Sequence, residues 1–283
     1  MMEHTPQISV LMGVYNCADT VEEAVRSILG QTVGDWELII CDDGSGDDTY
    51  AVVQKLAARE PRIVLIRNER NMGLAPTLNR CLRMARGTCI ARMDGDDICD
   101  ANRFAKELAV LEGDPDCAVV SCDMLSFDQD GVYGISRYPE KPDRRDLIER
   151  SPFCHAGAMM RREILLELGG YCEADDVRRM EDYDLWFRLY QAGYYGRNIP
   201  QALYSMRDDR NAFRRRRFRH RLNSVKLKWR IYRCFRPGIA GFSHVLAPVV
   251  KGLLPEKVYL FLRRKKLQRN MRGTMLRAVQ KER

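Results

Sequence analysis

Short apolar runs alternate with amphipathic segments along the first part of the chain. Uninterrupted runs rich in Val and Ile are typical of strands buried on both faces of a sheet, and apolar residues every three or four positions are typical of helices. We predict strands at 8–15, 36–41, 63–66, 88–93 and 118–121, with helices between them at 19–29, 49–58, 74–85 and 101–111. Because strands separated by helices form right-handed crossovers, the sequence predicts an α/β fold with a mainly parallel sheet flanked by helices.

The pattern becomes less regular in residues 131–160, where three prolines predict loops and irregular strands. Helical spacing returns at 161–168 and again at 182–192, and Gly193 is expected to end the second of these helices. The sequence therefore predicts a second, less regular half after the alternating strands and helices.

Charge divides the chain near Met206. Residues 207–283 contain 24 Lys and Arg against 4 Asp and Glu, whereas residues 1–206 contain 23 against 35. An acidic body can support metal or proton chemistry, and a basic tail attracts anionic surfaces. We therefore predict a catalytic domain at 1–206 and a basic helical extension at 207–283.

Cysteine usage and hydropathy indicate the compartment. The ten cysteines are scattered and several lie in apolar runs, which is typical of reduced, buried thiols in a cytoplasmic protein. The N-terminus lacks the basic and apolar regions of a signal peptide, and the weakly polar stretch 239–254 falls short of the ~20 residues that a spanning helix needs. We expect a cytoplasmic protein without a transmembrane segment.

Polar clusters follow three of the predicted strands, at the point where each strand ends. They are Tyr15-Asn16, Asp42-Asp43 and the run from Asp94 to Asp97. Parallel strands bring their carboxyl ends to one edge of the sheet, where such sheets bind ligands. The carboxylates of Asp94 and Asp96 are hard oxygen ligands that suit Mg²⁺ or Mn²⁺.

Each acidic cluster also has a purely structural interpretation. Asp94 to Asp97 can form a solvated loop, and Asp42-Asp43 can belong to an ordinary turn rather than accept a hydrogen bond from a uracil imide. An EF-hand is excluded, because its fifth, sixth and twelfth positions hold Ile98, Cys99 and Ala105. The sequence also lacks the glycine patterns of dinucleotide-binding folds and P-loops, which disfavours a dehydrogenase or a P-loop kinase.

Two further positions have competing interpretations. Glu181 and Asp182 open the helix predicted at 182–192, where an acid either interacts with the helix N-terminus or serves as a general base for a hydroxyl nucleophile. His155 lies among apolar residues in "SPFCHAGAMM", a setting in which a histidine is more often structural than catalytic.

Taken together, these segments resemble glycosyltransferase family 2, whose members have the GT-A fold. The resemblance covers about residues 7–206 and rests on the segments ISVLMGVYN, LIICDDGSGDDT, RNERNMGLAPTLNRCL, ARMDGDDICDANRF, CHAGAMMRREILLELGGY and MEDYDLWFRL, in this order. It implies an inverting transfer from a nucleotide-diphospho-sugar with a divalent ion, Mn²⁺ or Mg²⁺, on the diphosphate. It also divides the domain into a nucleotide-binding half, about 7–125, and an acceptor-side half, about 126–206.

The resemblance implies roles for individual residues. In the nucleotide-binding half, Gly13 and Tyr15 would line the base pocket and Asp42 would form a hydrogen bond with the base. Asn71 and Gly73 would lie beside the nucleotide. Asp94 would reach the ribose or the metal, and Asp96 would bind the metal. On the acceptor side, Asp182 would be the general base, and His155 and Glu181 would lie close to the acceptor.

The chain departs from the family pattern in two places. The Q-x-x-R-W motif of processive members is absent, so we expect one sugar to be transferred per encounter. The histidine that many relatives carry in a "YRxH"-like segment is also missing from "YSMRDDRNAF", and Arg207 is the candidate cation for the diphosphate instead.

The basic tail contains aromatic residues among its arginines and lysines, a pattern typical of amphipathic helices on anionic membranes. We expect a peripheral enzyme on the inner face of a bacterial plasma membrane, acting on a lipid-linked glycan in surface polysaccharide synthesis with a UDP-sugar favoured as donor. Two alternatives are a nucleic-acid-binding protein and a sugar-phosphate nucleotidyltransferase. The first leaves the strand-end acids unexplained, and the second expects a Gly-rich basic loop where the chain has GVYNCADT, so we expect no nucleic-acid partner.

Overall fold

The computed structural model describes residues 4–208, 218–236, 238–253 and 255–281. The described residues form a nine-stranded mixed sheet in the order β3-β2-β1-β4-β8-β6-β9-β5, with β7 paired to β6. The strands are β1 (Ile8–Val14), β2 (Trp36–Asp42), β3 (Ile63–Arg67), β4 (Cys89–Asp94), β5 (Ile98–Cys99), β6 (Cys117–Asp128), β7 (Gly131–Ser136), β8 (Met159–Arg161) and β9 (Tyr195–Arg207).

The first four strands form a parallel sheet, as predicted. β1 pairs in parallel with both β2 and β4, and β2 pairs in parallel with β3. The connecting helices are α1 (Val21–Leu29), α2 (Thr49–Ala57), α3 (Leu74–Met84) and α4 (Arg103–Gly113). Alternate residues of β1 enter two separate apolar cores, Val10 and Met12 on one face and Leu11 on the other, so helices cover both faces.

The second half is more regular than the sequence indicates. β6 is twelve residues long and pairs antiparallel with β7 and β8 but parallel with β9. The thirteen-residue β9 was not predicted, because it contains Pro200, a residue that is unfavourable inside a strand. The helices of this second half are α5 (Asp146–Glu149), α6 (Arg162–Glu167) and α7 (Glu181–Gln191).

From Phe218 onwards the described part of the basic tail is helical, as predicted, with α8 (Phe218–Phe235), α9 (Gly238–Leu253) and α10 (Glu256–Lys281), whereas Arg207 ends β9. α8 packs near α7, where Leu227 and Ile231 join the core that also contains Trp186. α10 lies so close to β7 that a Cβ built at Gly134 would be 2.5 Å from the Cβ of Leu267. Much of the arginine run, residues 209–217, lies outside the described residues.

Two further predictions concern membrane spans and cysteines. No helix in the described ranges combines the length and the apolar character needed to cross a bilayer. All ten cysteines are free, and seven of them are buried, which agrees with the interpretation as buried thiols.

Candidate active site

The register of the parallel strands brings the three polar clusters to one edge of the sheet. Val14 pairs with Asp42, and Gly13 pairs with Asp94, so the ends of β2 and β4 lie on either side of the end of β1. Tyr15 follows at that edge with an exposed side chain. A Cβ at Gly13 would lie 3.1 Å from the Cγ2 of Thr77, so the absence of a side chain allows β1 to approach α3 closely.

Asp43 fixes the loop that precedes α3. One of its carboxylate oxygens accepts hydrogen bonds from the backbone N–H of Met72 (2.8 Å) and from the side-chain amide of Asn68 (2.8 Å). The other accepts from the backbone N–H of Gly73 at 2.9 Å. Asn71 thus directly precedes two residues whose backbone is anchored. Sequence reasoning did not assign this role to Asp43, and the adjacent second acid after β2 is the signal that points to it.

Glycines allow the same loop to approach the sheet edge. Gly44 has φ +69°, and a Cβ there would lie 2.7 Å from the carbonyl carbon of Arg70. Gly73, with φ +94°, occupies the N-cap position of α3. Both φ values lie in the region that L-residues with side chains rarely adopt, so the loop conformation depends on glycine.

Asp42 is completely buried. Its carboxylate lies 3.0 Å from the Nε of Arg67 and accepts a hydrogen bond from the backbone N–H of Ser45 at 3.2 Å. The Arg67 guanidinium in turn lies 4.5 Å from the ring centroid of Tyr50. Because the side chain of Asp42 is 0% exposed, a base could bond it only after a neighbouring group such as Arg67 moved.

The turn from Asp94 to Asp97 is held against β1 and β9. The carbonyl oxygen of Gly95 accepts a hydrogen bond from Thr20 (3.1 Å), and a Cβ at Gly95 would lie 2.7 Å from a methyl carbon of Val14. The buried carboxylate of Asp97 accepts from the Tyr204 hydroxyl at 2.8 Å and from the backbone N–H of Arg207 at 2.7 Å. Asp97 therefore fixes the turn, while Asp94 and Asp96 remain partly exposed.

Burial and the charges of Asp94 and Asp96 raise the pKa of Asp97 to about 8. Three carboxylates within four residues repel one another, so a bound cation at this turn would lower their mutual repulsion. This is the electrostatic setting expected of a cation site.

A buried arginine balances part of this charge. Arg92 donates from Nη2 to Asp94 at 2.6 Å, and Arg103 donates to the carbonyl oxygen of Arg92 at 2.8 Å. Burial alone would lower the pKa of Arg92, but Asp94 together with Tyr204 and Tyr171 outweighs the effect of burial and the pKa is raised. Arg92 thus stays charged and orients Asp94 at the end of β4.

Arg207, the candidate diphosphate cation, lies at the end of β9 beside the acidic turn. Its Nε donates to the carbonyl oxygen of Asp96 at 3.0 Å, and its Nη2 pairs with Glu23. The guanidinium carbon also lies 4.6 Å from the ring centroid of Phe127. The structure therefore gives Arg207 a defined role in fixing the turn.

The predicted base lies at the start of α7, which begins at Glu181 as the sequence indicates. Glu181 is buried and accepts a hydrogen bond from the backbone N–H of Arg179 at 2.9 Å, so it stabilises the helix start. Asp182 is partly exposed. The two adjacent acids thus differ in environment, and Asp182 is the more accessible one.

Tyr171 connects the two sides of the site. Burial is the main cause that raises its pKa to about 12, and the nearby charges of Asp182 and Asp94 add to the effect. Both carboxylates therefore lie within electrostatic range of the same phenol. The acidic turn at the sheet edge and the start of α7 thus belong to the same part of the molecule.

His155 lies in a short 3₁₀ helix beside Tyr171. Its Nε2 is 3.0 Å from the Tyr171 hydroxyl, and its ring contacts Trp186 edge-on with centroids 6.0 Å apart. Burial, with a contribution from the charge of Arg92, lowers its pKa well below the usual 6.5. The imidazole is therefore neutral at pH 7. One of its ring nitrogens can donate a hydrogen bond and the other can only accept one.

The first tail helix contacts the loop that precedes α7. Asn223 of α8 is buried, and its side-chain amide donates to the carbonyl oxygens of Asp175 (2.9 Å) and Arg178 (3.4 Å). The Arg178 guanidinium reaches the loop that precedes α3, since a Cβ at Gly73 would lie 3.6 Å from its Nη2. Sequence analysis assigned no site role to Arg178 or to α8, because this proximity depends on tertiary packing.

The carboxylates of the acidic turn suit a shared metal site. Within the described ranges, no group of three or more His, Cys, Asp or Glu side chains is arranged to hold a metal ion by itself. Mg²⁺ and similar ions often bind through one or two carboxylates and complete their coordination with substrate phosphates and water. Asp94 and Asp96 fit that arrangement.

Comparisons with known proteins identify the class. The fold is similar to that of a mannosyltransferase from Pyrobaculum calidifontis, whose structure was solved with GDP-Man and Mn²⁺, with a TM-score of 0.65 and 19% identity over 98% of this chain and 87% of the other. The fold is thus that of GT-A transferases.

The sequence comparisons identify the family. The model of glycosyl transferase family 2 matches residues 9–169. The chain is 38% identical over 273 residues to a putative glycosyltransferase, EpsE, from Bacillus subtilis, covering 96% of this chain and 98% of the relative. It is 28% identical over 278 residues to the Escherichia coli UDP-Gal:alpha-D-GlcNAc-diphosphoundecaprenol beta-1,3-galactosyltransferase, covering 95% and 99%. The chain belongs to glycosyltransferase family 2, and the enzyme is a glycosyltransferase.

Proposed function

We propose that the protein transfers one sugar, with inversion, from a nucleotide-diphospho-sugar to a hydroxyl group of a lipid-linked glycan during bacterial polysaccharide synthesis. The observation that carries this proposal is the convergence of the ends of β1, β2 and β4 at one edge of the sheet, with Asp94 and Asp182 both within electrostatic range of Tyr171. It supports a single site with the donor on the sheet-edge side and the acceptor on the α7 side.

The donor would lie along the edge formed by Gly13, Tyr15 and the loop through Asn71 and Gly73. The buried Asp42 would bond the base only after rearrangement of its contact with Arg67. Arg178, half exposed beside Gly73, offers a positive charge to the diphosphate. These contacts bind the nucleotide part and leave the anomeric carbon to face the acceptor.

Asp94 and Asp96 would hold Mn²⁺ or Mg²⁺ on the donor diphosphate. When bound, such an ion supplies Lewis-acid stabilisation of the charge on the departing diphosphate. Arg92 orients Asp94 for this role, and Asp97, Tyr204 and Arg207 keep the turn in place.

Asp182 would accept the proton of the acceptor hydroxyl. The hydroxyl oxygen forms its bond to the anomeric carbon on the face opposite the diphosphate, the bond from that carbon to the diphosphate oxygen breaks, and the proton passes to the carboxylate of Asp182. One displacement inverts the configuration. Neutral His155, held by Tyr171, would line the acceptor side without competing for the proton.

Two features support the substrate classes. The E. coli relative is named for UDP-Gal and a diphosphoundecaprenol-linked acceptor, which favours a UDP-sugar and a lipid-linked glycan. The tail carries a strong positive charge, which favours binding to the anionic inner face of the plasma membrane. Family membership favours transfer over the nucleotidyltransferase and nucleic-acid-binding alternatives.

The proposal is tested with a panel of UDP-, GDP- and dTDP-sugars, each incubated with lipid-linked acceptors extracted from bacterial membranes and Mn²⁺. We expect one donor to give sugar transfer with inverted configuration, which excess chelator abolishes. Transfer with retained configuration would contradict the mechanism, and equal activity in excess chelator would contradict the metal role. No transfer from any donor would contradict the function.

A further inference from the structure

α9 is an apolar helix with a face that the described chain leaves uncovered. Lys251 is the one charged residue among its sixteen. One side packs inward through Val245, which is buried in the core shared with α7 and α8. On the other side Phe242, Leu246 and Val250 are 45%, 47% and 61% exposed.

These three residues recur every fourth position and therefore form a stripe along α9. α8 extends the stripe with Trp229, 43% exposed, whose ring centroid is 6.2 Å from that of Phe242. Tyr232 stacks on Trp229 at 5.7 Å. Trp229, Phe242, Leu246 and Val250 together form a continuous apolar surface, here called the hairpin face.

The chain segment that forms the hairpin face carries charges of one sign. Residues 210–255 contain no Asp or Glu. Arg233 and Arg236 are exposed where α8 ends, and with Tyr232 they line an open pocket at the turn to α9. A surface that combines aromatic rings, arginines and an apolar stripe is suited to the membrane interface, where acyl chains meet anionic headgroups.

A surface helix that is apolar on two sides buries one side in the protein core and needs a second apolar environment for the other side. With sixteen residues, α9 is too short to span a bilayer but can lie in its interface. We propose that the hairpin face docks on an anionic phospholipid surface, with Phe242, Leu246 and Val250 among the acyl chains and Arg233 and Arg236 at lipid phosphates.

This inference deepens the proposed function, since a lipid-linked acceptor lies in the same membrane. Asn223, which holds the loop before the proposed base, precedes Trp229 by six residues on α8, or about 9 Å along the helix axis. Docking would therefore bring the acceptor side of the site close to the membrane. The docking itself does not depend on which sugar or acceptor is used.

The test is flotation of the full chain with vesicles of phosphatidylcholine, alone or mixed with phosphatidylglycerol. We expect binding to the mixed vesicles and a decrease with added salt. Phe242→Ser combined with Leu246→Ser should weaken binding about tenfold or more through lost apolar contact. Arg233→Gln combined with Arg236→Gln should weaken it about twenty-five-fold on the anionic vesicles, since each basic residue near the surface contributes about fivefold.

The chain offers a matched control. Leu166 of α6 is 45% exposed, nearly as much as Leu246, but lies outside the hairpin face. Leu166→Ser should leave vesicle binding unchanged, whereas Leu246→Ser alone should weaken it. Equal binding by wild type and the hairpin-face variants would overturn the proposal, as would an equal loss with Leu166→Ser.

Two other outcomes would also overturn it. A dimer in light scattering that Leu246→Ser dissociates, without vesicle binding, would assign the hairpin face to a second copy of the chain. Absence of vesicle binding by a protein that still transfers sugar would refute docking but leave the proposed function standing. Vesicle binding without transfer from any donor would refute the function and leave the docking.

Discussion

The hydroxyl of Tyr204 donates a hydrogen bond to the carboxylate of Asp97 at 2.8 Å and lies 3.2 Å from the backbone nitrogen of Asp94. One side chain from β9 thus fixes two positions of the acidic turn. Tyr204→Phe should weaken Mn²⁺-dependent UDP binding about tenfold, because Asp97 loses a donor and the turn loosens. Isothermal titration measures the change.

Tyr195→Phe is the control for that variant, because its hydroxyl also bonds an aspartate, Asp114, at 2.7 Å, but away from the turn. It should leave UDP binding unchanged. Equal effects of the two substitutions, or no effect of Tyr204→Phe, would contradict the role of Tyr204.

Gly44→Ala should weaken nucleotide binding strongly. Its φ of +69° is unfavourable for alanine, and the new Cβ would meet the backbone of Arg70 at 2.7 Å, so the loop through Asn71 must move. Gly46→Ala is the matched control, since nothing lies within 4 Å of its Cβ position. Unchanged UDP binding by Gly44→Ala would show that the loop does not contribute to the nucleotide site.

Asn223→Ala should lower the rate of sugar transfer about tenfold or more, with little effect on UDP binding. The substitution removes the amide that holds the carbonyl oxygens of Asp175 and Arg178, and the loop before Asp182 then loses its support. The measurement is kcat alongside the UDP dissociation constant.

Asn270→Ala provides the comparison, because Asn270 also donates from a tail helix to a backbone carbonyl, that of Ile135, but on β7. It should leave kcat unchanged. A full-rate Asn223→Ala enzyme would mean that α8 does not position the acceptor side.

His155 should make stability depend on pH in the acid range. Because its pKa is lowered in the folded state, the unfolded chain binds more protons once the pH falls below the ordinary value of 6.5. The stability that the neutral imidazole contributes is present above that pH and is lost as the pH falls, by up to about 1.4 kcal/mol per pH unit.

Urea denaturation of wild type and His155→Gln at several pH values measures this dependence. The variant should show a shallower fall in unfolding free energy below pH 6.5. Identical pH dependence in the two proteins would contradict the neutral, partly buried environment of His155.

The first half of the fold was predictable because its strands are continuous apolar runs and its helices have regular apolar spacing. The ends of β1, β2 and β4 converge as a direct consequence of parallel pairing, so Asp42 and Asp94 could be placed at one edge from sequence. β9 was not predictable, since its pairing with β6 joins residues far apart in the chain.

The parts of the site that the sequence did not predict also depend on contacts between residues far apart in the chain. Asp97, Tyr204 and Asn223 act through contacts between distant segments, and their side chains carry no spacing pattern of their own. The burial of Asp42 also depends on Arg67, which the motif does not specify. Boundaries drawn from charge near Met206 separate α8 from the loop that it contacts, so the division of the chain remains a prediction.

The most direct test of the account is the transfer rate of Asp182→Asn, measured with the donor found in the panel, together with its UDP dissociation constant. Asp176→Asn, an equivalent change at an exposed position of the same loop, is the control. We predict that Asp182→Asn lowers transfer at least about a hundredfold while UDP binding stays within about twofold and Asp176→Asn remains active. Unchanged transfer by Asp182→Asn would contradict the assignment of the general base and the arrangement of the site.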